Sequence, residues 1–162
     1  MNRKYDTARY YRSVELLREY FTDPGITTDL ITGFPGETEG EFAQTLAFLE
    51  KCAFSAMHVF PYSKRPGTPA ANLPDQVPKG EKEARARRAI ALAARMERRW
   101  LENQVGKTLP VLFEEEKDGR WQGHAPSYAL VRAEGERLHN RLLDVEITGV
   151  EGEGLTGVLC GE

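Results

Sequence analysis

The chain has 162 residues, 40% of them hydrophobic and 29% charged, with a formal net charge of −3. That balance fits one soluble globular domain or two small ones. No apolar run approaches the roughly 20 residues that a membrane-spanning helix needs, and the charged opening MNRKYDTARYY lacks the apolar core of a secretory signal, so a cytoplasmic protein is expected.

The first predicted element is a helix over residues 6–21. Tyr10, Val14, Leu17 and Phe21 recur at helical spacing, and Asp6 or Thr7 is available as the cap. Asp23-Pro24-Gly25 breaks the chain. Ile26 to Thr32 is a short β-rich run, followed by the tight turn Gly33-Phe34-Pro35-Gly36. Thr38 and Glu41 then form a capping box that opens a helix running to about Lys51. Phe54 to Tyr62 reads as the next strand. Alternation of helix and strand with short connections points to βα units and a parallel sheet. Two strands do not make a stable sheet alone, and the first helix has no strand before it, so this α/β part is expected to be incomplete, with an open apolar edge and marginal stability.

Ser63 to Val77 is rich in Pro and Gly and reads as a loop. Pro78 to about Gln104 reads as one long helix with a stripe of Ala89, Ala93, Met96 and Trp100, ended by Gly106. Between Lys79 and Arg99 eight bases face three acids, a net of +5; from Asn103 to Glu162 eleven acids face six bases, a net of −5. Leu109–Glu114, Tyr128–Ala133 and Leu142–Thr148 are β-prone runs, with Leu155–Leu159 a further candidate. Turn signals separate them, predicting a small antiparallel β-barrel. The expected organisation is therefore an α/β part over 1–78, a basic linker helix over 79–104 and a β-barrel over 105–162.

Two stretches carry candidate chemistry. Asp29-Leu-Ile-Thr-Gly33-Phe-Pro-Gly36-Glu37-Thr38 runs from a strand end into a helix start, where ligands bind in α/β folds. It is either a ligand loop or a plain strand-to-helix turn, and it is not a P-loop, because no Gly-Lys-Ser/Thr follows. His58-Val-Phe60-Pro-Tyr62-Ser63-Lys64-Arg65-Pro-Gly67-Thr68 again runs from a strand into a polar loop, and Arg65 could hold a carboxylate in bidentate fashion. His58 is expected to be a satisfied structural histidine. The chain has two cysteines, Cys52 and Cys160, with no C-x-x-C or C-x-x-x-C spacing, so no metal or cluster motif is legible and each is expected to be a small apolar filler.

Taken together, TTDLITGFPGETEGEF and HVFPYSKRPGTPAANLPDQVP resemble the C-terminal half of the radical S-adenosylmethionine tRNA methylthiotransferases. The wording HVFPYSKRPGTPAA is most similar to the subfamily acting on threonylcarbamoyl-adenosine beside the anticodon. The resemblance implies a partial (β/α) radical-S-adenosylmethionine barrel, a long helix and a TRAM-like β-barrel that holds the tRNA anticodon stem-loop. It implies that Asp29, Ile31 and Gly33 lie beside the adenosine of S-adenosylmethionine, that Glu37 and Tyr62 line the same mouth, and that Arg3 and Arg65 meet the cofactor's carboxylate or the RNA. The basic helix, through Arg85, Arg88 and Arg95, is either the RNA backbone contact or a solvated amphipathic helix packing on the barrel. Trp121 and Tyr128 either stack on bases or serve as core and rim aromatics.

The family's C-x-x-x-C-x-x-C motif is absent, and two distant cysteines cannot replace the six that hold its two [4Fe–4S] clusters. No residue of the chain is therefore expected to be catalytic or a metal ligand. The chain is expected to be a fragment, incompetent alone and partnered by the N-terminal half of the same polypeptide, with S-adenosylmethionine and both clusters belonging to the complete enzyme. Two rival readings stand beside this one: a freestanding RNA-binding module centred on residues 79–161, and an unrelated α/β ligand-binding protein.

Overall fold

The computed structural model describes residues 4–161. They divide into two compact units, with the boundary in the chain between Met96 and Glu97.

In the first unit, α1 (Thr7–Tyr20) is capped by the Asp6 carboxylate, which accepts the Arg9 N–H at 2.8 Å. β1 (Thr27–Thr32) leads to α2 (Glu39–Cys52), which opens with the complete capping box between Thr38 and Glu41 and ends on Ala53 in the left-handed conformation. β2 (Ala56–Pro61) pairs parallel to β1, with Asp29 opposite His58 and Ile31 opposite Phe60. A short 3₁₀ turn, Pro69–Asn72, interrupts the expected loop. α3 (Lys79–Glu102) follows.

Val14 of α1, Leu49 and Cys52 of α2, and Leu92 and Met96 of α3 share one core with Phe54, and Leu30 and Met57 of the sheet pack against it. The helices therefore cover one face of the two-stranded sheet. The alternate residues of β1 and β2 point the other way, and Ile31 and Phe60 remain 40% and 52% exposed.

The second unit is a closed five-stranded barrel of β3 (Thr108–Lys117), β4 (Arg120–His124), β5 (Leu130–Ala133), β6 (Leu142–Glu151) and β7 (Gly154–Leu159), in the order β3-β4-β5-β7-β6. Val111, Phe113, Val131, Val145, Ile147 and Leu155 fill its interior, joined by Leu101 from the end of α3. Closure removes the unpaired edges that an open sheet would expose. Two features differ from the sequence expectation. β4 was not anticipated, and β5 pairs with β7 in parallel, so the barrel is antiparallel at only four of its five seams. Within α3, Leu92 and Met96 belong to the first unit's core and Leu101 to the barrel's.

Candidate functional site

The loop after β1 is built around the Glu37 side chain. Its carboxylate folds back to accept the Gly33 N–H at 2.5 Å and the Phe34 N–H at 3.2 Å. Gly33 has φ +68°, and a methyl group there would overlap the Lys82 stem, so a residue without a side chain suits both backbone and neighbour. Gly36, at φ +83°, donates its N–H to Asp75 at 2.9 Å.

The Arg85 guanidinium braces this turn from α3. It donates to the Glu37 carbonyl at 2.8 Å and lies 3.3 Å from the Glu37 carboxylate and 3.6 Å from that of Glu39, with Glu81 as a third acidic partner. Its side chain is only 3% exposed. Arg88 is bound to Glu39 at 2.5 Å and stacks over Phe42. That bond, with the nearby Arg88 and Arg85 charges, holds the Glu39 carboxyl below its usual range.

These contacts bear on three of the expected site residues. Arg85 is an internal brace, its guanidinium drawn inward by three carboxylates. Arg88 is largely committed to Glu39. Glu37 turns its carboxylate onto the loop's own amides and Arg85. Arg95 does stand exposed on α3, and Arg3 lies outside the described residues.

The end of β2 is held by the same helix. Lys82 donates its ammonium to the Tyr62 carbonyl at 3.0 Å, and Tyr62 donates its backbone N–H to Thr32 at 2.8 Å. The Tyr62 ring meets Phe34 edge-on at 5.3 Å, and its hydroxyl is buried without a hydrogen-bond partner among the described residues. Arg65 is exposed in the loop beyond, where its carbonyl accepts the Thr68 hydroxyl at 2.8 Å. Asp29 and Ile31 project with His58 and Phe60 from the uncovered sheet face. His58 is thus an exposed residue whose nearest ring is Phe60 at 6.5 Å, not the satisfied structural histidine expected from its spacing. Along the edge of β1 away from β2 lies a groove of about 790 Å³, bordered by Tyr10, Thr28, Leu30 and Phe48.

On the barrel, Trp121 is half-buried and packs against the core. Tyr128 is 85% exposed, with φ +65°, and its ring lies 5.8 Å from that of His124. The register places Leu142, Leu112, His124 and Leu130 side by side across four strands. Leu142 and Leu112 are 67% and 40% exposed, so Tyr128 stands beside an outward apolar row that the sequence reading did not identify.

Cys52 is buried in α2, where burial raises its thiol pKa. Cys160 is exposed, contrary to the filler expectation. Among the described residues no three His, Cys, Asp or Glu side chains gather as a metal site, and no helix is long and apolar enough to cross a membrane.

No family model matches the chain. It is similar to curated proteins named tRNA-2-methylthio-N(6)-dimethylallyladenosine synthase. The protein of that name from Streptomyces coelicolor is 42% identical over 159 residues, 91% of this chain and 31% of its own length. That from Mycobacteroides abscessus is 38% identical over 92% of this chain and 32% of its own length. That from Nitratidesulfovibrio vulgaris is 37% identical over 99% of this chain and 38% of its own length. The chain spans about a third of the length of the curated relatives it matches. Their names carry the dimethylallyl-adenosine substrate, whereas the wording of the β2 loop had pointed to the threonylcarbamoyl subfamily.

Proposed function

We propose that this chain is the C-terminal part of a tRNA methylthiotransferase, and that the complete enzyme acts on dimethylallyl-adenosine in tRNA. The observation that carries this reading is the identity of about 40% to the named synthases across nearly the whole chain. The threonylcarbamoyl substrate is the second reading, and the HVFPYSKRPGTPAA loop is what favours it.

The first unit's role is a wall for S-adenosylmethionine. The uncovered face of β1 and β2 offers an apolar strip, Ile31 and Phe60, beside the polar Asp29 and His58. That combination suits a purine and a ribose, since rings stack on apolar surface and ribose hydroxyls donate to a carboxylate. S-adenosylmethionine, when bound with its cluster, supplies the radical that activates the adenine carbon. The chain's own residues position: Glu37 fixes the Gly33–Phe34 amides and Arg85 fixes Glu37. Cys52 and Cys160 do not fit a cluster, one being buried in a helix and the other exposed in the other unit, so both clusters belong to other parts of the polypeptide. The second unit's role is to hold the tRNA anticodon stem-loop, with Tyr128 as its exposed aromatic.

A chimera tests this. The first two thirds of the Streptomyces coelicolor synthase is joined to this chain, its clusters are reconstituted, and it is supplied with two anticodon stem-loops, one bearing dimethylallyl-adenosine and one threonylcarbamoyl-adenosine. Methylthiolation of the first, read by mass spectrometry, is the expected result. Activity on the second alone selects the other substrate. A folded, cluster-loaded chimera that modifies neither RNA overturns the assignment. Methylthiolation by the 162-residue chain alone would overturn its role as a supporting part.

A further inference from the structure

The start of α3 and the end of β2 enclose a pocket of about 340 Å³ lined by Tyr62, Ser63, Lys64, Lys79, Lys82 and Glu83. Its lining holds three lysines and one glutamate. Lys82 is not a free surface lysine. Its stem lies against Gly33, and its Nζ donates to the Tyr62 carbonyl at 3.0 Å and sits 5.4 Å from the Tyr62 ring. An ammonium has three donors, so the anchored Lys82 keeps two for a ligand. The Lys79 side chain is 89% exposed, and its 3.7 Å approach to Glu83 is a surface i,i+4 pair that a ligand can displace at small cost. The 24-residue helix α3 begins at this pocket, so its positive dipole end adds to the field.

We infer that this pocket is a phosphate subsite that takes one backbone phosphate of the RNA substrate. The cations lining it are all lysines, and an ammonium binds a phosphate as a compact point charge with rotatable donors. The arginines nearby on α3, Arg85 and Arg88, are held by Glu37, Glu39 and Glu81, so the phosphate-binding face of the helix is Lys79–Lys82. The pocket opens where β2 ends, the side on which α/β sheets present substrates. The nucleic-acid source of the phosphate rests on the tRNA reading above; the anion chemistry of the pocket does not.

Two arms separate these. In the first, inorganic phosphate is titrated into the ¹⁵N-labelled chain. Saturable shifts confined to the Ser63, Lys64, Lys79 and Lys82 amides are expected, and they are lost in Lys64→Ser/Lys79→Ser. Absence of such shifts overturns the pocket as an anion site. In the second, binding of an anticodon stem-loop RNA is measured by fluorescence anisotropy across salt concentrations. The double variant is expected to weaken binding several-fold and to lower the salt slope by about one, the value for one lost phosphate contact. A control, Lys4→Ser/Lys117→Ser, removes equal charge elsewhere and leaves the slope unchanged. Phosphate shifts with an unchanged RNA slope, or an equal effect in the control, overturn the RNA source. Loss of all RNA binding by the unsubstituted chain, with the phosphate shifts intact, counts against the tRNA reading and leaves the anion site standing.

Discussion

Arg85 and Glu37 are joined twice, by a 2.8 Å hydrogen bond to the Glu37 carbonyl and a 3.3 Å approach to its carboxylate. The carboxylate in turn accepts the two amides that begin the loop after β1. Removing the cation leaves the partly buried Glu37 carboxylate uncompensated, a change that costs about 3 kcal/mol when a buried pair loses one partner. Arg85→Met is therefore expected to destabilise the first unit by about that amount. The checking measurement is hydrogen exchange at the Gly33 and Phe34 amides, which should accelerate by about a hundredfold, while the Val131 and Val145 amides of the barrel stay unchanged. Equal acceleration in both units would show that the effect is not local to the brace.

In the barrel, Gly123 lies on β4 directly against the β3 backbone, where an added methyl group would run into the Leu112 carbonyl and the Phe113 Cα. Neither is a flexible side-chain end, so the strands must separate. Gly123→Ala is expected to cost about 3 kcal/mol, at the upper end of overpacking effects. Urea unfolding followed by Trp121 fluorescence checks it, and a midpoint within error of the unsubstituted chain would refute the close approach.

Local signals carried most of the first unit. The Asp6 cap, the Thr38–Glu41 capping box and the strand–helix–strand order all appear where their spacing places them, because each rests on contacts within four residues or on simple alternation. β4 was missed because Arg-Trp-Gln-Gly-His lacks β-branched residues and carries a glycine; only its neighbours in the barrel make it a strand. The parallel β5–β7 seam has no local signature at all. Sequence alone places Arg85 on a basic helix with seven other bases, as a contact for RNA. Its burial depends on Glu37 and Glu39, almost fifty residues earlier, and no periodicity within α3 reveals them.

Glu97, in the last turns of α3, has its carboxyl pKa raised by burial and, secondarily, by the Glu153 charge. A carboxyl whose pKa is higher in the folded state binds its proton better there, so stability falls as pH rises through that range. At neutral pH the charged Glu97 is a net cost, and Glu97→Gln is expected to raise the midpoint of thermal unfolding of the barrel unit. The gain should shrink on acidification and vanish below the ordinary Glu range, where both states are protonated. A gain that stays constant between pH 7 and pH 4 would contradict this origin.

Tyr128 separates stability from binding. Its ring is 85% exposed and its φ is +65°, a conformation that costs a non-glycine residue about 1 kcal/mol. Tyr128→Gly relieves that strain and removes little packing, so the barrel should be unchanged or slightly more stable. If the ring stacks on a base beside His124, the same substitution removes about 1–3 kcal/mol of binding, which corresponds to a loss of RNA affinity of roughly five- to a hundredfold. Tyr128→Phe keeps the stacking face and should bind like the unsubstituted chain. The pair of variants is read by thermal unfolding and by anisotropy with an anticodon stem-loop. Unaltered affinity in Tyr128→Gly would leave the exposed ring without a role in RNA recognition and move the contact to other surfaces of the chain.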